Sequence, residues 1–341
     1  MKHIRDIRDY YYEDLLLDLR YLERLRKLNL KILRKIAIYM LIMFVITFMI
    51  LEVILYKLWL FIIAVSMIMF WLFFYKKVSR NYVKEFREVI LHRVIGFVDP
   101  ALKYKRKNRI SKKAFMESKI IKREPDRFTA KGYVSGIIGR TQIDFAEIVA
   151  EYEKGKSDNY TKRQKKRRLS QNIYIDSTYD SMFDGMFFIA DCDKQFKGVA
   201  VLLPDTMDDE DLIGSLAVNI QSMNFDEDME MKRLPVEEDK ADDFSKYYVL
   251  YGDSELDTEH IFSDKLIRKM VEFKQKTKRR IFISSLNTRI YVAISYRPDE
   301  SATRIFSNIV DFKVIREYVQ TIQLAFDIIQ DFNLNARIWL K

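Results

Sequence analysis

IAIYMLIMFVITFMILEVILYKLWLFIIAVSMIMFWLFFY occupies residues 36–75 and holds two charges, Glu52 and Lys57. A single helix of that length would run about 60 Å at 1.5 Å per residue. That is twice the roughly 30 Å thickness of a bilayer's hydrocarbon core. Folded back once, the stretch predicts a two-span transmembrane helical hairpin, with Ile36–Tyr56 covering ~31 Å and Leu58–Tyr75 ~27 Å. Glu52 and Lys57 then share the far interface with Tyr56 and Trp59, and Tyr39, Trp71 and Tyr75 mark the near one. The turn carries no Gly, Pro or Asn between Leu51 and Trp59, so its hinge is not fixed by the sequence. A secretory signal does not fit, because the apolar run starts after 35 residues and no small-x-small site follows it.

Cations flank this stretch on both sides. Arg20, Arg24, Arg26, Lys27, Lys31, Arg34 and Lys35 precede it, and Lys76, Lys77, Arg80 and Lys84 follow. The asymmetry of Lys and Arg about apolar spans predicts that both flanks, and so both termini, face the cytoplasm. The expected location is the bacterial inner membrane, with a multi-pass anchor. The intended division is a cytosolic amphipathic helix over 1–35, the hairpin over 36–75, a juxtamembrane helix over 76–99 and a cytosolic domain over 100–341.

The helical periods on either side support that division. Leu15, Leu19, Leu22 and Leu25 recur at three- and four-residue steps before the apolar run, and Val83, Phe86, Ile90 and Val94 after it. Asp99-Pro100 ends the second pattern. Beyond it the period changes. Short apolar runs at Tyr133–Ile138, Thr141–Tyr152, Met186–Ala190, Val199–Leu203, Tyr247–Tyr251, Arg280–Leu286 and Ile290–Tyr296 read as strands. Gly136-Ile-Ile-Gly139 and Leu286-Asn-Thr sit where hairpin turns belong. Helical patterns lie near 112–117, 208–222, 258–276 and 311–332. Hairpins interleaved with helices indicate an antiparallel-rich α+β domain rather than a doubly wound parallel sheet.

The chain has 341 residues, 49% of them hydrophobic, with 9 Gly and 5 Pro, a composition for a packed domain rather than a disordered one. Its slightly negative mean hydropathy excludes a bundle of many spans. The formal charge of +10 is unevenly spread. Residues 76–123 carry about +12 and residues 172–260 about −17. A single cysteine, Cys192, excludes intrachain disulfides and thiolate zinc clusters.

Several stretches, in order, carry a resemblance. They are Asp99-Pro100, Phe115-Met-Glu-Ser118, and Gly132-Tyr-Val-Ser-Gly136 with Gly139, Thr141, Ile143, Phe145 and Glu147. Then come Phe183-Asp-Gly-Met-Phe-Phe188, Phe196-Lys-Gly198, Leu203-Pro204, Tyr247–Asp253 and Leu334-Asn-Ala-Arg-Ile-Trp339. Together they resemble the bacterial membrane protein family catalogued as domain of unknown function 3137. The order and spacing carry the likeness, not any single motif. It implies a membrane protein with a cytosolic C-terminal domain and implies no activity.

Candidate chemistry is sparse. His3, His92 and His260 share no metal-binding spacing and read as scattered surface or capping residues. Cys192 stands between Asp191 and Asp193, whose charges disfavour a thiolate. Asp205, Asp208 and Asp209 follow Pro204 without the ligand spacing of a calcium loop, and Asp208 reads better as a helix cap than as part of a metal site. Gly136-x-x-Gly139 reads as a turn rather than an RNA-binding loop. The phosphate-cradling glycine loops and the serine-hydrolase elbow are missing from the sequence. Lys162, Arg163, Lys165, Lys166, Arg167 and Arg168 form the sharpest charge run. They suit anionic lipid at about 1 kcal/mol per cation near a surface, or equally a solvated loop; nucleic acid is the less favoured ligand.

The expected function is a membrane-tethered cytosolic protein-interaction module, or scaffold, with a protein partner, possible anionic-lipid contact and no cofactor. The alternatives are a membrane-surface enzyme using carboxylates such as Asp191, Asp193 and Asp205, or lipid or nucleic-acid binding through residues 162–168. Transport is disfavoured, since Glu52 and Lys57 offer no polar path across a span.

Overall fold

A computed structural model describes residues 8–52, 57–121, 124–153, 179–192, 195–196, 198–205, 232–234, 244–252, 262–296 and 312–334. The chain divides into two compact units, one of residues 1–100 and 302–319, the other of 101–301 and 320–341.

Two long helices, α1 (Leu16–Glu52) and α2 (Lys57–Val98), dominate the first unit, with a π-helical turn at Tyr11–Leu15 leading into α1. Leu15, Leu19, Leu22 and Leu33 are buried at helical spacing, as are Val94, Ile95 and Val98 from α2. The helices run antiparallel. Arg93 on α2 pairs with Asp18 at 2.7 Å, the rings of Tyr10 and Phe97 stack at 4.3 Å, and the Tyr10 hydroxyl donates to the Arg93 carbonyl at 3.3 Å. The helix stops at Val98, before Asp99-Pro100, where proline forces the preceding residue out of the helical region. Glu23 and Arg26 lie almost wholly inside and meet side by side at 2.7 Å and 2.8 Å.

The structure corrects the transmembrane expectation. Among the described residues no helix is long and apolar enough to cross a membrane, and this overturns the two-span hairpin. The first half of α1, through Lys35, is a charged amphipathic helix, and the end of α2 is rich in charge as well. The transmembrane expectation falls with the hairpin.

The second unit is built on a nine-stranded sheet, antiparallel throughout, in the order β1-β2-β3-β4-β9-β8-β5-β7-β6. The strands are β1 (Lys103–Tyr104), β2 (Arg127–Ile138), β3 (Thr141–Glu153), β4 (Tyr179–Asp191), β5 (Ala200–Pro204), β6 (Lys232–Leu234), β7 (Tyr248–Gly252), β8 (Ile281–Leu286) and β9 (Arg289–Ser295). The edges are strands of two and three residues, which leaves little open ladder at either side. Among the described residues, short helices α3 (Lys112–Glu117) and α4 (Phe244–Tyr247) punctuate the strands, joined by α5 (Asp264–Thr277) and α6 (Phe312–Leu334). Residues of α6 from Gln320 onward belong to this unit.

Side-chain alternation sorts the sheet into two faces. Ile143 and Phe145 of β3, Phe188 and Ala190 of β4, and Val292 and Ile294 of β9 are buried on one. There Phe326 of α6 lies edge-on to both Phe145 and Phe188, with ring centres 6.4 Å away. On the other, Ala146, Ile148, Phe183, Phe187, Phe282 and Tyr291 form a core with Phe115 of α3, whose ring lies 5.0 Å from Phe187. Two turns are tight. Gly139-Arg140 joins β2 to β3 with Gly139 at φ +64°, and Asn287-Thr288 joins β8 to β9 with Asn287 at φ 54°. Gly136 is not in the turn but inside β2, where an added Cβ would lie 2.5 Å from the Ala101 carbonyl oxygen.

Candidate functional site

Where the core on the α3 face gives out, the sheet turns polar. On β3 that face runs Ala150, Ile148, Ala146 and then Asp144 and Gln142. On β4 it runs Phe183, Phe187 and then Ile189 and Asp191, and on β9 Ala293, Tyr291 and then Arg289. The register aligns these changes, because Gln142 lies opposite Asp191, which lies opposite Arg289. The chain from Arg109 to Ala114 passes over them. Its helix α3 is started by Ser111, whose side chain accepts from the Ala114 amide at 3.0 Å. Between this segment and the sheet lies a cleft of about 270 Å³.

Arg289 organises one wall. Its guanidinium reaches Asp191 at 3.3 Å and Glu117 of α3 at 3.3 Å, and Asp191 also accepts from the Thr288 hydroxyl at 3.0 Å. Hydrogen bonding to the Tyr291 oxygen, and then to Asp191, holds Arg289 above its ordinary pKa. Burial pushes the Tyr291 phenol up, although Arg289 works against it. The other wall holds Tyr133, Gln142 and Asp144. Burial pushes the Tyr133 phenol up, followed by the charge of Asp144, so the phenol stays protonated through the neutral range. Gln142 donates to Asp144 Oδ2 at 3.3 Å, while Asp144 Oδ1 is enclosed without a hydrogen-bond partner. Arg109, exposed at the rim, has no ion-pair partner among the described residues.

The residues singled out from sequence are placed differently. Asp191 lies in the cleft, tied to Arg289 and Thr288. Asp193 lies outside the described residues. Asp205 stands just past β5, its amide bonded to the Tyr247 carbonyl at 2.6 Å, and β5 is two places from β9 and away from Asp191. Asp208 and Asp209 lie outside the described residues, as do Lys162, Arg163, Lys165, Lys166, Arg167 and Arg168. Among the described residues no group of three or more His, Cys, Asp or Glu could hold a metal. Tyr39 is exposed on α1, and Trp71 stacks on Tyr75 at 5.6 Å on α2. Tyr56 and the side chains of Glu52, Lys57 and Trp59 are outside the described residues. The role given to these seven as interface markers rested on the hairpin. Cys192 is buried.

The cleft itself was missed. Its signal was present in β3, where Gln142 and Asp144 occupy the phase that Ala146 and Ile148 mark as inward. Two polar residues on the inward phase of a strand mark a place where the core stops.

Residues 181–334 match the family described as a protein of unknown function (DUF3137), so the resemblance carried by the chain's motifs holds over that segment. The match begins within β4 and ends with α6, covering Phe183–Phe188, Phe196–Gly198, Leu203-Pro204 and Tyr247–Asp253 among those motifs. The mycobacterial trehalose monomycolate transport factor A, TtfA, is a solved structure similar at 11% identity over 69% of this chain and 95% of its own, with a TM-score of 0.28. Likeness at that level supports no argument about fold or activity. No curated protein matches the chain.

Proposed function

We propose that the chain is a non-enzymatic protein-interaction module whose partner docks on the apolar faces of α1 and α2. One observation carries this reading. Ile38, Leu41, Ile42, Val45 and Ile46 recur at i, i+3, i+4, i+7 and i+8, and each is between 46% and 62% exposed. On α2, exposed Ile62, Val65, Met69, Leu72 and Phe73 recur at i, i+3, i+7, i+10 and i+11. A contiguous apolar stripe of this length on a folded chain marks an interaction surface. A helical stripe with these spacings suits a partner offering an apolar groove. Exposed Arg34, Lys35, Lys76 and Lys77 border the stripes, so the groove's rim is expected to be acidic. The cleft of the second unit supports the non-enzymatic part, because Asp191 and Glu117 are committed to Arg289 rather than poised over open space.

The test is a photo-crosslinking residue placed at Leu41 or Val65 of the full chain in its native cell, read by mass spectrometry. The expected result is one recurrent, near-stoichiometric protein adduct that disappears in Ile42→Glu. Adducts to lipid alone, or to a second copy alone, overturn the reading.

A further inference from the structure

The cleft between residues 109–114 and the sheet poses a charge problem that its own residues leave open. Asp144 Oδ1 is fully enclosed and accepts no hydrogen bond. An enclosed carboxylate oxygen without a donor is costly. The Tyr133 hydroxyl and Gln142 both engage the Asp144 carboxylate, yet Oδ1 is left without a partner. Gln142 donates to the other oxygen, Oδ2, at 3.3 Å. Arg289, the cation across the cleft, is engaged by Asp191 and Glu117. At the rim, Arg109 is a cation with no ion-pair partner among the described residues. One cleft therefore offers an unmet acceptor inside and an unmet cation outside, with Ile110, Ala114 and Ile189 as apolar lining between polar groups.

We infer that this cleft binds a small zwitterion, an α-amino acid or a molecule of the same amino-carboxylate class. The ligand's ammonium donates to Asp144 and its carboxylate pairs with Arg109. Other classes fit less well. A lone anion meets Asp144 and Asp191, and a lone organic cation meets Arg109 and Arg289. A bare metal ion lacks a third ligand, since no cluster of three acidic, His or Cys groups exists among the described residues. The volume of about 270 Å³ is below the range of drug-sized pockets, which keeps the ligand small. This site is separate from the helix faces and stands or falls without them.

The experiment titrates the full chain with each standard L-amino acid, and with its N-acetyl and amide forms, by calorimetry and thermal unfolding. The expected result is that at least one free amino acid binds and raises Tm, while the N-acetyl form loses the effect through Asp144 and the amide form loses it through Arg109. Arg109→Ala is expected to weaken binding roughly tenfold to a hundredfold, the range for one hydrogen bond to a charged group. Asp144→Asn does the same at the ammonium end. Arg109 is exposed, so its variant keeps the fold and reports even if Asp144→Asn unfolds. Binding by none of the amino acids, or binding unchanged in Arg109→Ala, overturns the inference.

Discussion

At the level of single residues, two positions fix energetics that the chain pattern does not show. Glu23 is paired with Arg26 in a nearly buried setting, and its carboxyl is held below the usual glutamate range, first by that hydrogen bond. A carboxyl whose folded pKa is lowered adds stability above its unfolded value of about 4.3, and loses it as pH falls through the folded value. Glu23→Gln is therefore expected to cost about 2 kcal/mol at neutral pH. It should cost progressively less below pH ~4, which urea unfolding at a series of pH values will show. Gly185 is a different case. It sits in β4 where an added Cβ would come within 2.2 Å of the Ile294 carbonyl oxygen of β9. Backbone on backbone cannot yield, so Gly185→Ala is expected to lose roughly 2–4 kcal/mol, seen as a lower Tm. Gly96 has open space instead, and Gly96→Ala serves as the control.

At the level of elements, α5 shows how local chemistry sets a boundary. Ser263 caps it, accepting from the Leu266 amide at 3.2 Å, and its own hydroxyl and amide both reach Asp331 of α6 at 2.5 Å and 3.0 Å. At the other end Lys278 takes φ 58° and its amide closes on the Lys274 carbonyl. Ser263→Ala removes a cap and a tie between two helices at once. The expected loss is about 1–2 kcal/mol, with faster amide hydrogen exchange in the first turn of α5 as the distinguishing sign. The sequence made much of this readable. Period-two and short apolar runs marked β2 to β5 and β7 to β9, and the pattern at 258–276 found α5, which starts at Asp264 behind its cap Ser263. The two-strand edge pieces were beyond reach, because β1 and β6 are too short to show a period. Gly136 was misread as a turn residue, since a glycine needed for close approach to Ala101 looks the same in a string of letters as one needed for a turn. The α1 and α2 stretch was read as spanning from its apolar length, aromatic ends and flanking cations, whereas among the described residues no helix is long and apolar enough to cross a membrane. The cleft stayed hidden because its walls come from β2, β3, β4, β9 and the 109–114 segment, brought together only by strand order.

At the level of the whole chain, the first unit carries the exposed apolar surface and the second carries the sheet. Replacing Ile42 and Met69 together by Glu should therefore lower binding of a hydrophobic dye to the full chain while leaving the sheet's hydrogen-exchange protection unchanged. Equal loss of both would show that the apolar faces are part of the fold's own core. The sheet's strand order has a further consequence for synthesis. β2, β3 and β4 follow one another as hairpins, but the other side of β4 is filled by β9, whose first residue comes 98 positions after Asp191. At about 5–20 residues per second, a ribosome leaves β4 as an open, phenylalanine-rich ladder for roughly 5–20 s before its neighbour exists. For that interval the nascent chain is an unfinished sheet in search of a strand, and a chaperone that shields strand edges is the factor whose removal should hurt its yield most.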